Sequence, residues 1–327
     1  MKAKKMKNST FNSSLFAKDL SALIIRNYRV KPPLKDWRTD LPVLKKFTHS
    51  CIKASMINGI CEPFYSKGKL KAFLLIGKVH LGPKIPMYWG FIETDGSKEA
   101  DQWVLKKMKE HLSFFTTDTM LELPYYLHHL LKPLYKAGFF IDSVRTVGNS
   151  KSASQRLLES GKHLKARAQG LSFQPLKTLA ELKHIQIIQK EEFRRNPQYG
   201  WFVGSDAWLK QSLESRKADL KNPEACQYVI KKGSQTLGYF GYSLYPGLNG
   251  PMAGTEFIFH RSLQGRGLSY VGYKILLEHM IKNDVAFFSG NTSQLPILKA
   301  ARLMGRVPLF YMIRAGKSHF DLDHFRY

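Results

Sequence analysis

Acidic residues are scarce in this chain. Only 25 Asp and Glu stand against 51 Lys and Arg, a net charge of +26 over 327 residues. The shortage predicts attraction to anionic partners, whether tRNA or another nucleic acid, a membrane surface or a phosphorylated small molecule; a plain solvated basic surface is the alternative. Cysteine is scarcer still. Cys51, Cys61 and Cys226 are odd in number, scattered, and free of any Cys-x-x-Cys spacing. That excludes the disulfide framework of a small secreted domain and points to a reducing compartment, the cytoplasm. No apolar run is long enough to cross a bilayer. The basic start, residues 1–10, has no apolar stretch behind it, so it reads as a frayed tail and not as a secretory signal. Gly-x-Ser-x-Gly, His-Glu-x-x-His and Walker loops are all absent, which leaves those chemistries without a motif.

What the chain does have is apolar mass. Hydrophobic residues make up 43% and aromatics 13%, enough for a sizeable core, and the length suits about two domains of ordinary size. Its most informative stretch is Gln264-Gly265-Arg266-Gly267-Leu268-Ser269. The apolar run at 256–259 before it predicts a strand, and the pattern of 270–280 after it predicts a helix. A glycine-bearing loop at such a junction leaves backbone N–H groups without partners at the positive end of the helix dipole. Such a place binds phosphate. The two glycines allow close approach and positive φ, and Arg266 can add a charge-assisted bond. An ordinary turn that binds nothing is the alternative.

These residues resemble the acyl-CoA pyrophosphate loop of the GNAT superfamily of N-acyltransferases, Gln/Arg-x-x-Gly-x-Gly/Ala. Gln264 and Gly267 fill its first and fourth places. Ser269 stands where a small apolar residue is usual, and it is still small and able to cap a helix. Downstream, residues 285–289 read as the next strand, and Gln294-Leu295-Pro296-Ile297 opens a helix that ends near Met304-Gly305. In the family this helix often begins with Asn and ends Leu-Gly-Phe. Here Gln294 takes the place of that Asn, with Asn291 just before it, and Arg306 replaces the Phe. The resemblance covers residues 170–315 well and 60–145 weakly. It implies acetyl-CoA or another acyl-CoA as cosubstrate and a primary amine as acceptor. The residues it assigns to the CoA are Phe259, His260, Gln264, Gly265, Arg266, Gly267, Leu268, Ser269 and Asn291.

A repeat at about half the chain length extends the pattern. Lys106, Glu110 and His111 match Lys274, Glu278 and His279 at an offset of 168 residues, and Gly138 matches Gly305 at 167. Segments rich in β-branched and aromatic residues at 71–77 and 87–93 mirror those at 226–230 and 237–244, the latter two joined through Lys232-Gly233-Ser234-Gln235. Residues 179–194 and 206–220 show helical periodicity. The polar stretch at 148–155 reads as a linker, and 156–168 as a basic connecting helix. The expected fold is α/β, two GNAT-like domains, each a mixed, mostly antiparallel sheet flanked by helices. Residues 1–155 form the degenerate N-terminal domain and 156–327 the acyl-CoA-binding one. In place of the phosphate loop the first copy has Thr94-Asp95-Gly96-Ser97-Lys98-Glu99-Ala100-Asp101. Its three acids would repel a pyrophosphate, so it reads as structural or substrate-shaping.

Acyl transfer from a thioester to an amine needs the donor fixed, the ammonium deprotonated and the leaving thiolate protonated. The resemblance puts the thioester where the fourth strand of the domain splays from the fifth, here about 254–261. Glu256 is the acid of that strand: either a base, acting directly or through water, or a strand carboxylate facing solvent or paired with Arg261. His260 has a suitable pKa range, with a satisfied structural histidine as the alternative. Many family members carry the acid as a tyrosine four residues before the glycine of the last helix. That position is Ala301 here, and Tyr311 is the candidate substitute, or else a core aromatic. No metal is expected. His319-Phe320-Asp321-Leu322-Asp323-His324 has ligand-type residues without a ligand spacing, and His128-His129 has no second pair nearby in sequence. Two rivals stay open. An aminoacyl-tRNA-dependent transferase of the Fem or leucyl/phenylalanyl type would use the positive charge as a tRNA footprint and needs no CoA seat. A non-catalytic acyl-CoA-binding protein would explain Ala301.

Overall fold

The computed structural model describes residues 13–80, 86–112, 119–195, 206–222, 224–247 and 249–315. The basic start at 1–10 and the stretch from His319 to His324 lie outside the described residues. Two helices, α1 (Ser13–Val30) and α2 (Leu41–Asn58), precede a hairpin of β1 (Ile60–Ser66) and β2 (Lys69–His80). Lys67 and Gly68 turn it at φ of 50° and 71°, the positive values that a two-residue type I′ loop requires. β3 (Pro86–Thr94), α3 (Lys98–Glu110), β4 (Thr119–Pro124), α4 (Leu131–Lys136) and β5 (Phe139–Asn149) complete the first half. The second half opens with α5 (Ser150–Ser160) and β6 (Ser172–Pro175). It then repeats the order with α6 (Leu179–Arg195), α7 (Asp206–Asp219), β7 (Cys226–Lys232), β8 (Gln235–Gly247) and β9 (Gly250–Phe259). It ends with α8 (Leu268–Lys282), β10 (Phe287–Thr292), α9 (Leu295–Leu303) and β11 (Val307–Ala315). No described helix is long and apolar enough to cross a membrane.

The connecting region differs from expectation. Residues 148–155 are not a linker: Gly148 and Asn149 end β5, and the Asn149 side chain accepts from the Ser152 amide to cap α5. Small polar residues mark helix caps as readily as loops. The helix expected over 156–168 stops at Ser160, because Gly161 takes φ 59° and closes it in the left-handed conformation. His128 and His129 lie in a short 3-10 turn, Tyr125–Leu130, that follows β4 and leads into α4.

The described strands form one sheet, in the order β1-β2-β3-β4-β11-β5-β10-β9-β8-β7-β6. Neighbours are antiparallel except β3–β4 and β9–β10, which are parallel. The last strand of each half crosses to the other. β5 pairs with β10, β11 pairs with β4, and β5 and β11 pair with each other. The cores interleave accordingly. Leu309, Tyr311, Met312 and Ile313 of β11 pack with Phe16, Leu74 and Leu121 of the first half. Ala153 and Leu157 of α5 pack with Tyr273, Leu276 and Phe288 of the second. A cut near residue 155 would leave β5 and β11 without partner strands and expose unpaired ladders.

Candidate functional site

β9 and β10 pair only at Met252–Phe287, Ala253–Phe288 and Gly254–Ser289, and then part. β9 runs on to Phe259 paired with β8 alone, so residues 255–259 present one free main-chain edge to the opening. Thr255 Oγ1 closes the apex by donating to Ser289 O at 2.8 Å. A free strand edge takes up an extended, amide-bearing ligand by main-chain hydrogen bonds.

Past the open end, β9 leads through a short 3-10 turn, Arg261–Leu263, to α8. Gly265 and Gly267 take φ of 69° and 75°, and Gly267 is the N-cap of α8 with no side-chain cap. Both positions need glycine for the backbone conformation. Gln264 N donates to Arg261 O and Tyr270 N to Gly267 O, each at 3.1 Å. Between them, the N–H groups of Gly265, Arg266, Gly267, Leu268 and Ser269 have no partner among the described residues. Consecutive unpartnered amides at the positive end of a helix make an anion seat. A depression of about 780 Å³ lies beside them, lined by residues 166–170 with Ser262, Gln264 and Arg266.

Several side chains around the seat do other work than expected. Arg266 is tied to the neighbouring segment: its Nε donates to Arg167 O at 2.8 Å. Arg167 answers from its N to Arg266 O at 2.9 Å and from Nη2 to Gly265 O at 3.0 Å, which clasps the loop. Ser269 lies inside the helix and caps nothing, since Gly267 already opens it. Gln264 Nε2 donates to Glu192 Oε2 at 2.7 Å. His260 is the N-cap of the 3-10 turn, its Nδ1 accepting from Ser262 N at 3.3 Å. Phe259 stands edge-on to Phe257 with centroids 5.9 Å apart. Asn291 is exposed on β10, in register with Arg145.

Tyr239 and Phe240 are adjacent on β8 and so face opposite ways; the first packs with α6 residues, the second with α8 residues. Glu256 meets residues of α6 and α7. Its Oε1 accepts from Arg216 Nη2 at 2.7 Å and Gln189 Nε2 at 3.4 Å, and its Oε2 from Arg216 Nε at 3.2 Å. The partner is therefore Arg216, not Arg261. Burial works against the Arg216 charge, but the Glu256 carboxylate and Tyr239 together outweigh it and hold the guanidinium above its ordinary pKa. A cavity of about 220 Å³ adjoins this pair, bounded also by Ser212, Asp219, Ser243 and Gly254. Asp219 Oδ2 accepts from Ser243 Oγ at 2.6 Å. Gly254 is also the last paired residue of β9, so the cavity and the apex of the opening meet there.

Tyr311 is not brought to this place. It lies on β11, three strands from β9, roughly 14 Å at the usual strand spacing, and burial in the first-half core raises its pKa. Ala301 is buried on α9. Sequence reasoning misses Arg216 and Asp219, although one signal was available. Arg216 shares a stripe of α7 with Leu209 and Leu213, and Arg216 and Leu209 are both buried. A charge on such a stripe implies a buried partner.

One mixed sheet, helices on both faces, and a parallel strand pair that parts beside a glycine-bearing loop define the GNAT-type fold. Two solved structures share it over nearly the whole chain. One is a GCN5-related N-acetyltransferase from Sphaerobacter thermophilus, 11% identical, covering 93% of this chain and 95% of that one at a TM-score of 0.55. The other is a tandem GNAT protein from the clavulanic acid biosynthesis pathway, 12% identical, covering 94% and 97% at a TM-score of 0.50. At these identities the likeness is one of fold. A scan against protein-family models finds no match, and neither does a comparison with curated proteins.

Proposed function

We propose that this chain is an N-acyltransferase, most simply an N-acetyltransferase, with residues 156–327 carrying the acyl-CoA and residues 1–155 forming a degenerate GNAT-like domain. The diphosphate takes the amides at 265–269, and the pantetheine arm runs along the free edge of β9. The thioester then lies at the apex near Gly254, and the acceptor amine enters from the cavity beside Glu256. Glu256 is the candidate base, held in position by Arg216. The observation that carries this reading is the run of five unpartnered amides leading into a strand edge that is itself unpaired. An aminoacyl-tRNA-dependent transferase has no use for that run.

Two observations favour a second reading, binding without turnover: both Glu256 oxygens are already engaged, and Ala301 stands at the tyrosine position. Thermal-shift and calorimetric titrations with acetyl-CoA, longer acyl-CoAs and free CoA test the shared premise. A ligand confined to the native state and present at about 100 times its Kd raises stability by about 2.7 kcal/mol. No response to any of them overturns the proposal. Release of CoA thiol over a panel of primary amines then separates transfer from binding alone, and a gel shift with tRNA across salt concentrations checks the remaining rival.

A further inference from the structure

Arg216, Arg306 and Arg314 are the buried arginines among the described residues. Two of them are paired, Arg216 with Glu256 and Arg314 with Asp142. Arg306, 3% exposed, has no carboxylate partner among the described residues. Its Nη1 donates to Tyr273 OH at 2.6 Å, and its Nη2 to Thr146 O and Gly290 O at 3.3 Å each. Its Nε has no partner among the described residues. The guanidinium lies 5.1 Å from the Phe288 ring centroid and 5.8 Å from that of Tyr273. Neutral acceptors and ring faces compensate a buried cation only in part.

Its position is specific. Gly290 is the first residue of β10 past the last rung shared with β9. A Cβ there would stand 2.7 Å from Arg306 Nη2 and 2.9 Å from Thr255 Oγ1. Thr255 is the first residue of β9 past the same rung. The guanidinium and the apex of the opening thus meet at a residue with no side chain to separate them.

Resting on the acyl-CoA reading above, we propose that Arg306 is the counter-charge for the departing CoA thiolate. The amine nitrogen bonds to the thioester carbonyl carbon, the C–S bond breaks, and its electron pair leaves on sulfur. The surplus proton of the amine passes to Glu256 or to water. Arginine keeps its own proton, so Arg306 stabilises the sulfur anion by charge and does not protonate it. Charge stabilisation of this kind is strongest in a preorganised site that excludes water. It does what an acid at position 301 would do, by a different route.

The test reads the sulfur and needs no acceptor. Free CoA is bound to wild type, Arg306→Lys and Arg306→Met, and its thiolate is titrated by ultraviolet absorbance, with desulfo-CoA as the binding control and circular dichroism as the check on folding. The bound thiol should titrate about one pKa unit below free CoA in wild type. Arg306→Lys should keep most of that shift, and Arg306→Met should lose it while desulfo-CoA affinity holds. A wild-type bound thiol that titrates like free CoA overturns this inference and leaves the acyl-CoA reading standing. Failure of wild type to bind CoA overturns both. Equal loss of CoA and desulfo-CoA binding in Arg306→Met marks a structural arginine and also overturns it. If Arg306→Met does not fold, the wild-type and Arg306→Lys titrations decide.

Discussion

In the second half, the junction between β9 and α8 leaves its amides without partners among the described residues. In the first half, the corresponding junction between β3 and α3 spends them on itself. Gly96 N donates to Thr94 Oγ1 and Ser97 N to Asp95 Oδ1, both at 3.0 Å, and Ala100 N to Ser97 Oγ at 3.4 Å. Burial pushes the Asp95 carboxyl up, but hydrogen bonds from Lys71 and Ser97 outweigh it and hold it below its ordinary pKa. A negative charge therefore already sits where an anion would go. The strands part here too, β3 and β4 pairing no further than Phe91–Glu122. The gap beyond is bridged by Glu93, which accepts from Tyr126 OH at 2.5 Å and Asn27 Nδ2 at 2.8 Å. Desolvation pushes the fully buried Glu93 up to about 8, and those hydrogen bonds only moderate the rise. Space is not what the first half lost, since a cavity of about 600 Å³ remains beside this loop. The first-half loop thus satisfies its amides with its own hydroxyls and its own carboxylate.

The sharpest way to break this comparison is to give the second half the first half's device. Gly267→Glu puts a Cβ at φ 75°, 3.5 Å from Ala166 Cα, and a carboxylate at the seat. Affinity for acetyl-CoA should fall by at least about 100-fold, or about 2.7 kcal/mol, by calorimetry, with an unchanged circular dichroism spectrum. Unchanged affinity would sink the assignment of the seat. The same calorimetry on wild type should give one acyl-CoA per chain. A second equivalent would mean that the first-half loop still binds.

Glu93 offers a pH readout. Its pKa is raised in the folded chain to about 8, against an ordinary value of about 4.3. The fold therefore favours the protonated form, and the stability it contributes is present below the unfolded pKa and lost as pH rises through about 8. Glu93→Gln should remove that slope. Between pH 6 and pH 9 wild type should lose about 3 kcal/mol relative to the variant, measured by denaturant unfolding, and parallel curves would show that Glu93 carries no such proton. The smallest effect is expected at Ser97. Ser97→Ala removes the N-cap of α3 and should cost about 1 kcal/mol of stability without changing acetyl-CoA affinity. Lost affinity would tie the two loops together more closely than the structure does.

Residues 264–269 and their flanking strand and helix were legible in the sequence, as were β7, β8, α6, α7 and α9. Glycines at positive φ, small polar caps and apolar periodicity act over a few residues, and the chain itself carries them. So was the contrast between the two loops, because Asp95 lies just before α3 and Glu99 and Asp101 in its first turn, all within a few residues of one another. Tertiary structure alone decided that β5 lies against β10 and β11 against β4. A strand's alternation tells which face it buries and says nothing of which edge it joins. The same exchange carried Tyr311 into the first-half core, and helix packing gave Glu256 to Arg216 and left Arg306 without a carboxylate among the described residues. Partners far apart in sequence are chosen by packing and burial, which no local pattern encodes.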